Sequence, residues 1–495
     1  MRTCLGQNMR VAAVGLSILA ALVLAGPASA ARGKHRASPS PAASAASAAS
    51  TLFIRGGGNG HGIGMSQYGT YGYALHGWTY KQILAHYYTG TQLGTTNPGQ
   101  AVRVLLGGGS AAFAGATRAG GKTLNPSLTY DVVPLANGQL ALVNQTTHKR
   151  VGKFDAPLTA TGPAPLSLAG LGAYRGSLEF RPTGSGGVYT VNVVGLDDYV
   201  RGVIAAEMPS TWGPQALETQ AVAARTYAIT TDVSGTFYNL YPDTRSQMYR
   251  GVSAETPATD AAVAATAGQI VTYNGAPVVT YFSSSSGGHT ENIEDAWPGA
   301  SASPWLRGVD DPYDGAGGDP YHRWTRQVSV TAATKQLGRL LKGKLVGIRV
   351  TKHGVSPRIM SAQIIGTKGT TTVTGAQLQS AFGLLSTWAS FTTISGSAGR
   401  VPVTGAVHAA SDLAVITQLK RAFALVGERT PVLRGRVVPA RAGDSVRIEM
   451  RVGKHWRRTG TARLGKRGSY AVGVGQPGVY RTVYRGLDGP PVVVR

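Results

Sequence analysis

The chain has 495 residues, with 48 Lys and Arg against 23 Asp and Glu, a formal net charge of +25 at pH 7, and one cysteine. One cysteine excludes an internal disulfide and a thiolate-only zinc site. The charge suits anionic surroundings such as wall polymers, lipid head groups or an acidic glycan, and no nucleic-acid motif accompanies it.

The N-terminus reads as an export signal. Arg2 and Arg10 supply a positive flank, residues 11–25 are apolar, and 28–30 read Ala-Ser-Ala, a small-residue cleavage site. The apolar run is short for a membrane span. Cleavage after Ala30 would remove Cys4 and with it every thiol nucleophile or thiolate metal ligand. Residues 31–50 are mostly Ala, Ser, Pro and basic residues, with almost nothing to bury, and read as a disordered linker. The remainder is long enough for two or three domains.

A strand is expected at 52–55, ahead of the glycine-rich stretch GGGNGHGIGMSQYG. A helix should begin near Ser66 and carry Tyr68, Tyr71, Tyr73 and Leu75. A second short helix at 79–88 puts Ile83, Leu84 and Tyr87 on one side. Residues 101–195 look all-β, with short apolar runs between Gly, Pro and Asn clusters. Residues 196–230 hold a helical pair. Pro214 suits the first turn of its second helix, and Ala221, Ala224 and Ala228 give that helix a narrow face for close packing. Thr256 and Pro257 start another helix, with Gly268 as its stop. Asn274-Gly275 signals a hairpin between strands near 269–273 and 277–282. The second strand runs into SSSSGGHTENIEDAW, a polar segment at a strand end, where sites are often built.

Residues 326–394 alternate strand-like runs (347–351, 361–365) with helical pieces (332–341, 375–382), a mixed α+β pattern. Residues 395–430, with SGSAG and a short helix at 413–424, read as a linker. Residues 431–495 read as a separate module of short β runs and turns, with 14 Lys or Arg against 3 Asp or Glu. That pattern suits a small β-sandwich, and its charge is either a solvated surface or a wall-binding face. The expected fold class is therefore an α+β catalytic region at 51–394 followed by a small all-β, sandwich-like C-terminal domain.

The stretch VRGVIAAEMPSTWGPQALETQAVAARTYAI at 200–229 carries the most chemistry. Its single acid in the apolar run is Glu207. A carboxylate among apolar residues tends to keep its proton, because desolvation disfavours the charge. A protonated acid beside an aromatic is what glycosidic cleavage needs, whereas the plainer reading of Glu207 is a helix end. Asp197 and Asp198 precede a helix and look like caps.

With these residues in hand, the chain resembles the SpoIID/LytB family. Four blocks carry the likeness: 198–228 around Glu207; QMYRGVSAET at 247–256; SSSSGGHTENIEDAW at 283–297; and GNGHGIGMSQYGTYGYALHGWTYKQILAHYYTGT at 58–91. The family's enzymes are lytic transglycosylases that cut peptidoglycan glycan strands, some preferring strands stripped of stem peptides. In the family the GHGxGMSQxG block usually follows the rest of the catalytic domain. Here it comes first, an order that looks like a circular permutation and predicts that 51–55 packs beside 388–394.

The resemblance implies that Glu207 is the general acid and base and that Arg225 is a functional arginine. Arg225 would hold an acidic sugar substituent or orient the glycan, or else form an ion pair with Glu218. Ser286, Gly287, Gly288, His289 and Thr290 are expected to form one lip of a cleft, and His61, Ser66 and Gln67 another. His61 is either a second proton carrier or a hydrogen-bonded structural group. Trp212 and Trp297 are candidates to stack on sugars, and Gln220 and Tyr227 are contacts or packing residues. Some relatives hold zinc through Cys and His near the middle blocks. Here His289 stands without thiolates, so neither a metal nor another cofactor is expected. A hydrolase would need a second carboxylate, with Glu291 or Glu294 as candidates. The other alternative is a non-catalytic wall-binding enhancer of a separate amidase. The expected partners are peptidoglycan glycan strands and, through the basic module, anionic wall polymers. The expected location is exported and wall-associated.

Overall fold

The computed structural model describes residues 49–401 and 430–495. The export signal, nearly all of the 31–50 linker and the helix expected at 413–424 lie outside the described residues. Among those described, the protein is α+β, with antiparallel sheets and short helices, and no helix is long and apolar enough to cross a membrane.

Three hydrophobic clusters organise the chain. The largest runs in sequence from Ile63 to Leu306. The all-β region forms two six-stranded sheets at one end of it. They meet where Phe113 of one stacks on Phe180 of the other, with ring centroids 5.2 Å apart. The strand Val188–Gly195 leads directly into helix α3, Leu196–Glu207, so the helix starts on the sheet and carries Glu207 at its far end. Helix α4, Pro214–Thr230, has Pro214 in its first turn and buries Ala221, Ala223, Ala224 and Ala228. Those small side chains let neighbours approach closely. Helices α1 (Gln67–Leu75), α2 (Tyr80–Tyr87) and α5 (Pro257–Ala265) start at Ser66, Thr79 and Thr256, each accepting a backbone N–H inside the first turn.

The Asn274-Gly275 turn is present, with Asn274 at φ 50° and Gly275 at φ 78°. The strand expected after it is not continuous. Only Ala276–Pro277 pairs with Gln269–Tyr273, because Pro277 has no N–H to extend the ladder. Phe282–Ser283 pairs instead, in parallel, with Met65–Ser66. This brings the glycine-rich block against the serine-rich one.

The strand Ala49–Gly56 begins before the expected linker ends. Its alternating side chains divide between two cores. Leu52 and Ile54 join a cluster with residues 333–391, and Phe53 joins the core of the C-terminal module. It pairs antiparallel with Ala389–Val401, from Thr51 opposite Ile394 to Gly56 opposite Ala389. The two segments expected to adjoin are therefore neighbours in one sheet.

Two features of the expected C-terminal linker and module are corrected. Residues 395–401 are strand, not linker, and pair with Thr430–Val438. The sheet therefore runs without a break from Trp324–Ser329 through 49–56 and 389–401 to Thr430–Val438 and Ser469–Gly473. The remaining C-terminal strands form a second, five-stranded sheet. The core of the module includes Phe53 and Ile394, and the Tyr470 hydroxyl donates to the Ser395 carbonyl at 2.9 Å. The SGSAG segment is a strand because it pairs residue by residue with 432–436, which its polar composition conceals.

Candidate active site

Glu207 ends α3 and is partly exposed. Its Oε1 accepts from the Met248 N–H at 2.7 Å and its Oε2 from the Gln67 side-chain amide at 3.1 Å. No salt bridge reaches it among the described residues. Desolvation raises its pKa and outweighs the two hydrogen bonds, which favour the charged form. Tyr199 and Tyr227 lie close enough to sense its charge. The result is a carboxyl group whose pKa is shifted upward, with no salt-bridged cation to oppose the shift among the described residues.

Three of the four sequence blocks meet at this carboxyl. Gln67 comes from the glycine-rich block and Met248 from the QMYRG block. Gln67 also points its amide at Gln220 Oε1, 3.5 Å away, and the amide nitrogen of Gln220 is buried without a partner. Gln220 is thus a buried support for Gln67 rather than a surface for a glycan. Trp212 stacks on Tyr71 at 4.8 Å with rings 6° apart, and Tyr68 tilts against it at 4.8 Å. Trp212 is largely buried, while Tyr68 and Tyr71 keep partial exposure. Tyr227 is mostly buried and packs near Tyr281, which meets the more exposed Trp297 edge-on at 4.8 Å.

The two expected lips are largely buried. Ser66 donates to Asp314 Oδ1 at 2.8 Å and accepts from the N–H groups of Gly69 and Ser286. Ser286 donates to Asp311, the N–H groups of Ser286 and Gly287 both reach Asp314, and the Gly288 N–H reaches the Ser286 hydroxyl. The Thr290 hydroxyl accepts from the Val309 N–H, and His289 Nδ1 faces the Thr290 carbonyl at 2.6 Å. Ser66, Ser286 and Gly287 therefore hold the two loops together, Thr290 is tied to Val309, and of residues 286–290 only Gly288 and His289 are partly exposed. The role expected for these residues as a sugar-contacting lip is corrected to an anchoring one. The physical reason is a buried carboxylate, Asp314, that gathers their donors. Burial favours the neutral acid, but hydrogen bonds from His322, Ser66, Ser286 and Ser285 overcome it and hold its pKa below the usual range.

Arg225 is fully buried. Its Nε donates to Asp197 at 2.6 Å and its Nη1 to the Gln269 carbonyl at 3.1 Å. Its ion-pair partner is Asp197, not Glu218, and burial keeps it from meeting a glycan directly. It ties α4 to the start of α3 and so helps set where Glu207 stands. His61 accepts from the Ile63 N–H and packs against Trp297 and Tyr281. Burial, with the Arg358 charge added, lowers its pKa to about 4, which keeps it neutral near pH 7. No hydrogen bond joins His61 to Glu207 among the described residues.

The candidate second carboxylates are committed elsewhere. Glu291 is 1% exposed and accepts from the Ser356 hydroxyl and from the N–H groups of Val355 and Asn292. Glu294 pairs with Arg307 at 2.6 Å.

Sequence reasoning missed the groups that hold the loops: Asp311, Asp314, Asp319, His322 and Arg358. Arg358 is 2% exposed and donates to the carbonyls of Ser286 and His289. Asp311 is pushed up to about 7, chiefly by burial and then by Asp314. The run DDPYDGAGGDPYHRW at 310–324, with four acids and a histidine at 322, was the available signal. Asp314, Asp319 and His322 place three possible ligand atoms within 4.8 Å of one another. The Asp314 oxygens already accept from serine hydroxyls, backbone N–H groups and His322, so this set works as a hydrogen-bond acceptor.

Residues 184–273 match the family model described as SpoIID, stage II sporulation protein. Stage II sporulation protein D of Bacillus subtilis (strain 168) is 35% identical over 195 residues, covering 36% of this chain and 55% of that protein. Its counterpart in Bacillus amyloliquefaciens is 33% identical over 197 residues, covering 36% of this chain and 56% of that protein. The amidase enhancer of Bacillus subtilis (strain 168) is 40% identical over 131 residues, 26% of this chain and 17% of that protein. The chain thus spans about half the length of the sporulation relatives it matches.

Proposed function

The chain belongs to the SpoIID/LytB family, and from that premise we propose that it is an exported, wall-associated lytic transglycosylase of peptidoglycan glycan strands. One observation carries this reading. Glu207 is a carboxyl partly open to solvent, held by the Gln67 amide and the Met248 N–H, with its pKa raised by burial and no second carboxylate hydrogen-bonded to it among the described residues.

A lone acid suffices for the reaction. Glu207 gives its proton to the glycosidic oxygen as the bond from that oxygen to the anomeric carbon breaks. The carboxylate left behind takes the proton of the sugar's own 6-hydroxyl, and that oxygen bonds to the anomeric carbon. The ring closes as an anhydro sugar, the acid is regenerated, and no water is consumed. The Gln67 amide and the Met248 N–H stabilise the intermediate carboxylate. The partly exposed rings of Tyr68, Tyr71 and Tyr281 offer apolar faces for sugars. We further propose that the early position of the glycine-rich block is a circular permutation, supported by the pairing of 49–56 with 389–396.

The test is digestion of purified glycan strands followed by mass analysis of their ends. Anhydro ends, lighter than hydrolysed ends by one water, are the expected product. Reducing ends as the main product would refute the mechanism. A second reading, an amidase enhancer without cleavage, is favoured by the likeness to the protein of that name. It predicts no new glycan ends at all.

A further inference from the structure

The outer face of the C-terminal five-stranded sheet is built from arginines. Along Ser445–Val452, Val446 and Ile448 are buried toward the module core, and Arg447, Glu449 and Arg451 point the other way. Their cross-strand partners share that outer face: Arg463 opposite Ser445, Arg458 and Arg481 opposite Glu449, and Trp456 opposite Arg451. Five guanidinium groups therefore surround one central acid. Glu449 engages Arg447 and Arg481, each at 2.7 Å, and Arg481 also lies over the Trp456 ring at 4.5 Å. Arg451, Arg458 and Arg463 are exposed and have no ion-pair partner among the described residues. Lys454, in the adjoining turn, extends the charge.

Neighbouring strands lie about 4.8 Å apart, and residues on the same face recur about every 7 Å along a strand. The cations are thus laid out as a lattice, which matches a linear polymer with regularly repeated charge better than a single anion. The cations on this face, apart from the turn lysine, are all arginine. Its planar fork is weakly hydrated and meets two oxygens of one phosphate at once, which an ammonium cannot do.

We propose that this sheet face binds a phosphodiester-linked wall polymer, with Arg451, Arg458 and Arg463 gripping successive phosphates. The inference rests on the reading of the chain as a wall-acting enzyme and names its second partner. Glu449 fixes Arg447 and Arg481 as a frame and leaves the other three arginines without an ion-pair partner among the described residues, Arg451 making only a hydrogen bond to the Gly453 carbonyl.

The experiment uses the purified protein from residue 31 onward and fluorescent polyglycerol phosphate as the probe. The triple variant Arg451→Ala, Arg458→Ala, Arg463→Ala should lose at least about tenfold in affinity, and the slope of log Kd against log salt should fall by about three. The matching Arg→Lys triple variant should keep the salt slope and lose several-fold in affinity. Polyglutamate and single-stranded DNA should bind at least about tenfold more weakly than the probe. Unchanged affinity in the Ala variant overturns the site, and full affinity in the Lys variant overturns guanidinium recognition. Equal binding of polyglutamate or DNA overturns the assigned polymer. Near-UV circular dichroism checks that the variants fold. Cleavage of soluble glycan by the same variants should stay at the parent level, so a failure of the cleavage reading is seen separately from a failure of this one.

Discussion

Glu207 and Glu291 sit in two parts of the same core region, and burial raises the pKa of both. Their surroundings then diverge. Glu291 is enclosed, accepts three hydrogen bonds and feels the Arg358 charge, each of which favours the ionised form. Glu207 accepts two, has no cation, and keeps one side open to solvent. One carboxylate is thus an enclosed structural acceptor, while the other keeps access to solvent. Raised pKa alone does not separate them, whereas donor count and access do.

The largest effect that could break this contrast is at Glu207. Glu207→Gln keeps the shape and removes the transferable proton, so glycan cleavage should fall by at least about 10²–10⁴-fold. A folded Gln variant with parent activity would end the assignment. Glu291→Gln should do the reverse. Its amide oxygen can keep the N–H groups of Val355 and Asn292, but its NH2 group would face the Ser356 hydroxyl, which already accepts from Arg358 and would lose its own acceptor, costing about 1–3 kcal/mol of stability. Chemical denaturation should show that loss, with specific activity at low temperature close to the parent's.

A smaller effect sharpens the contrast through pH. Because Glu207 must be protonated to act, activity should fall as pH rises through its raised pKa. The Gln67 amide favours the charged form, so Gln67→Met should raise that pKa further and move the basic limb of the profile to higher pH. A limb that moves to lower pH would contradict the hydrogen-bond assignment.

The last comparison is of stability against pH. Asp311 has its pKa raised from 3.8 to about 7 in the folded chain. Between those values the native state holds a proton that the unfolded chain has lost, so this group makes stability fall as pH rises through the window. His61, lowered from 6.5 to about 4, acts in the opposite sense, with its contribution lost as pH falls toward 4. The difference between parent and Asp311→Asn, measured by urea denaturation from pH 4 to 7, should therefore isolate the Asp311 slope. An identical pH dependence in both proteins would show that Asp311 titrates normally.

Local chemistry made much of this molecule legible in advance. Thr79 and Thr256 cap their helices, Pro214 opens α4, and Asn274-Gly275 turns as those residues must. Glu207 stood out because it interrupts an apolar run. What stayed hidden depends on distance along the chain. Ser66 and Asp314 are 248 residues apart, and Gln67 and Glu207 are 140 apart. A serine-glycine run reads as an open loop until a buried aspartate collects its donors. The partner of Arg225 was misread for a related reason. Glu218 shares its helix, whereas Asp197 reaches it from the preceding one. Likewise, the strand character of 395–401 depends on Thr430–Val438, beyond a segment that lies outside the described residues.

The strand Ala389–Val401 has a mechanical consequence. Residues 393–396 are paired on both sides, to 49–52 and to 435–438. A pull applied to the C-terminal sheets and resisted at the catalytic region loads these ladders along their length. Their hydrogen bonds then share the force together instead of opening one at a time. The arrangement is a splint, not a tether: the module shares one sheet with 49–56 and 324–329, so these parts turn together.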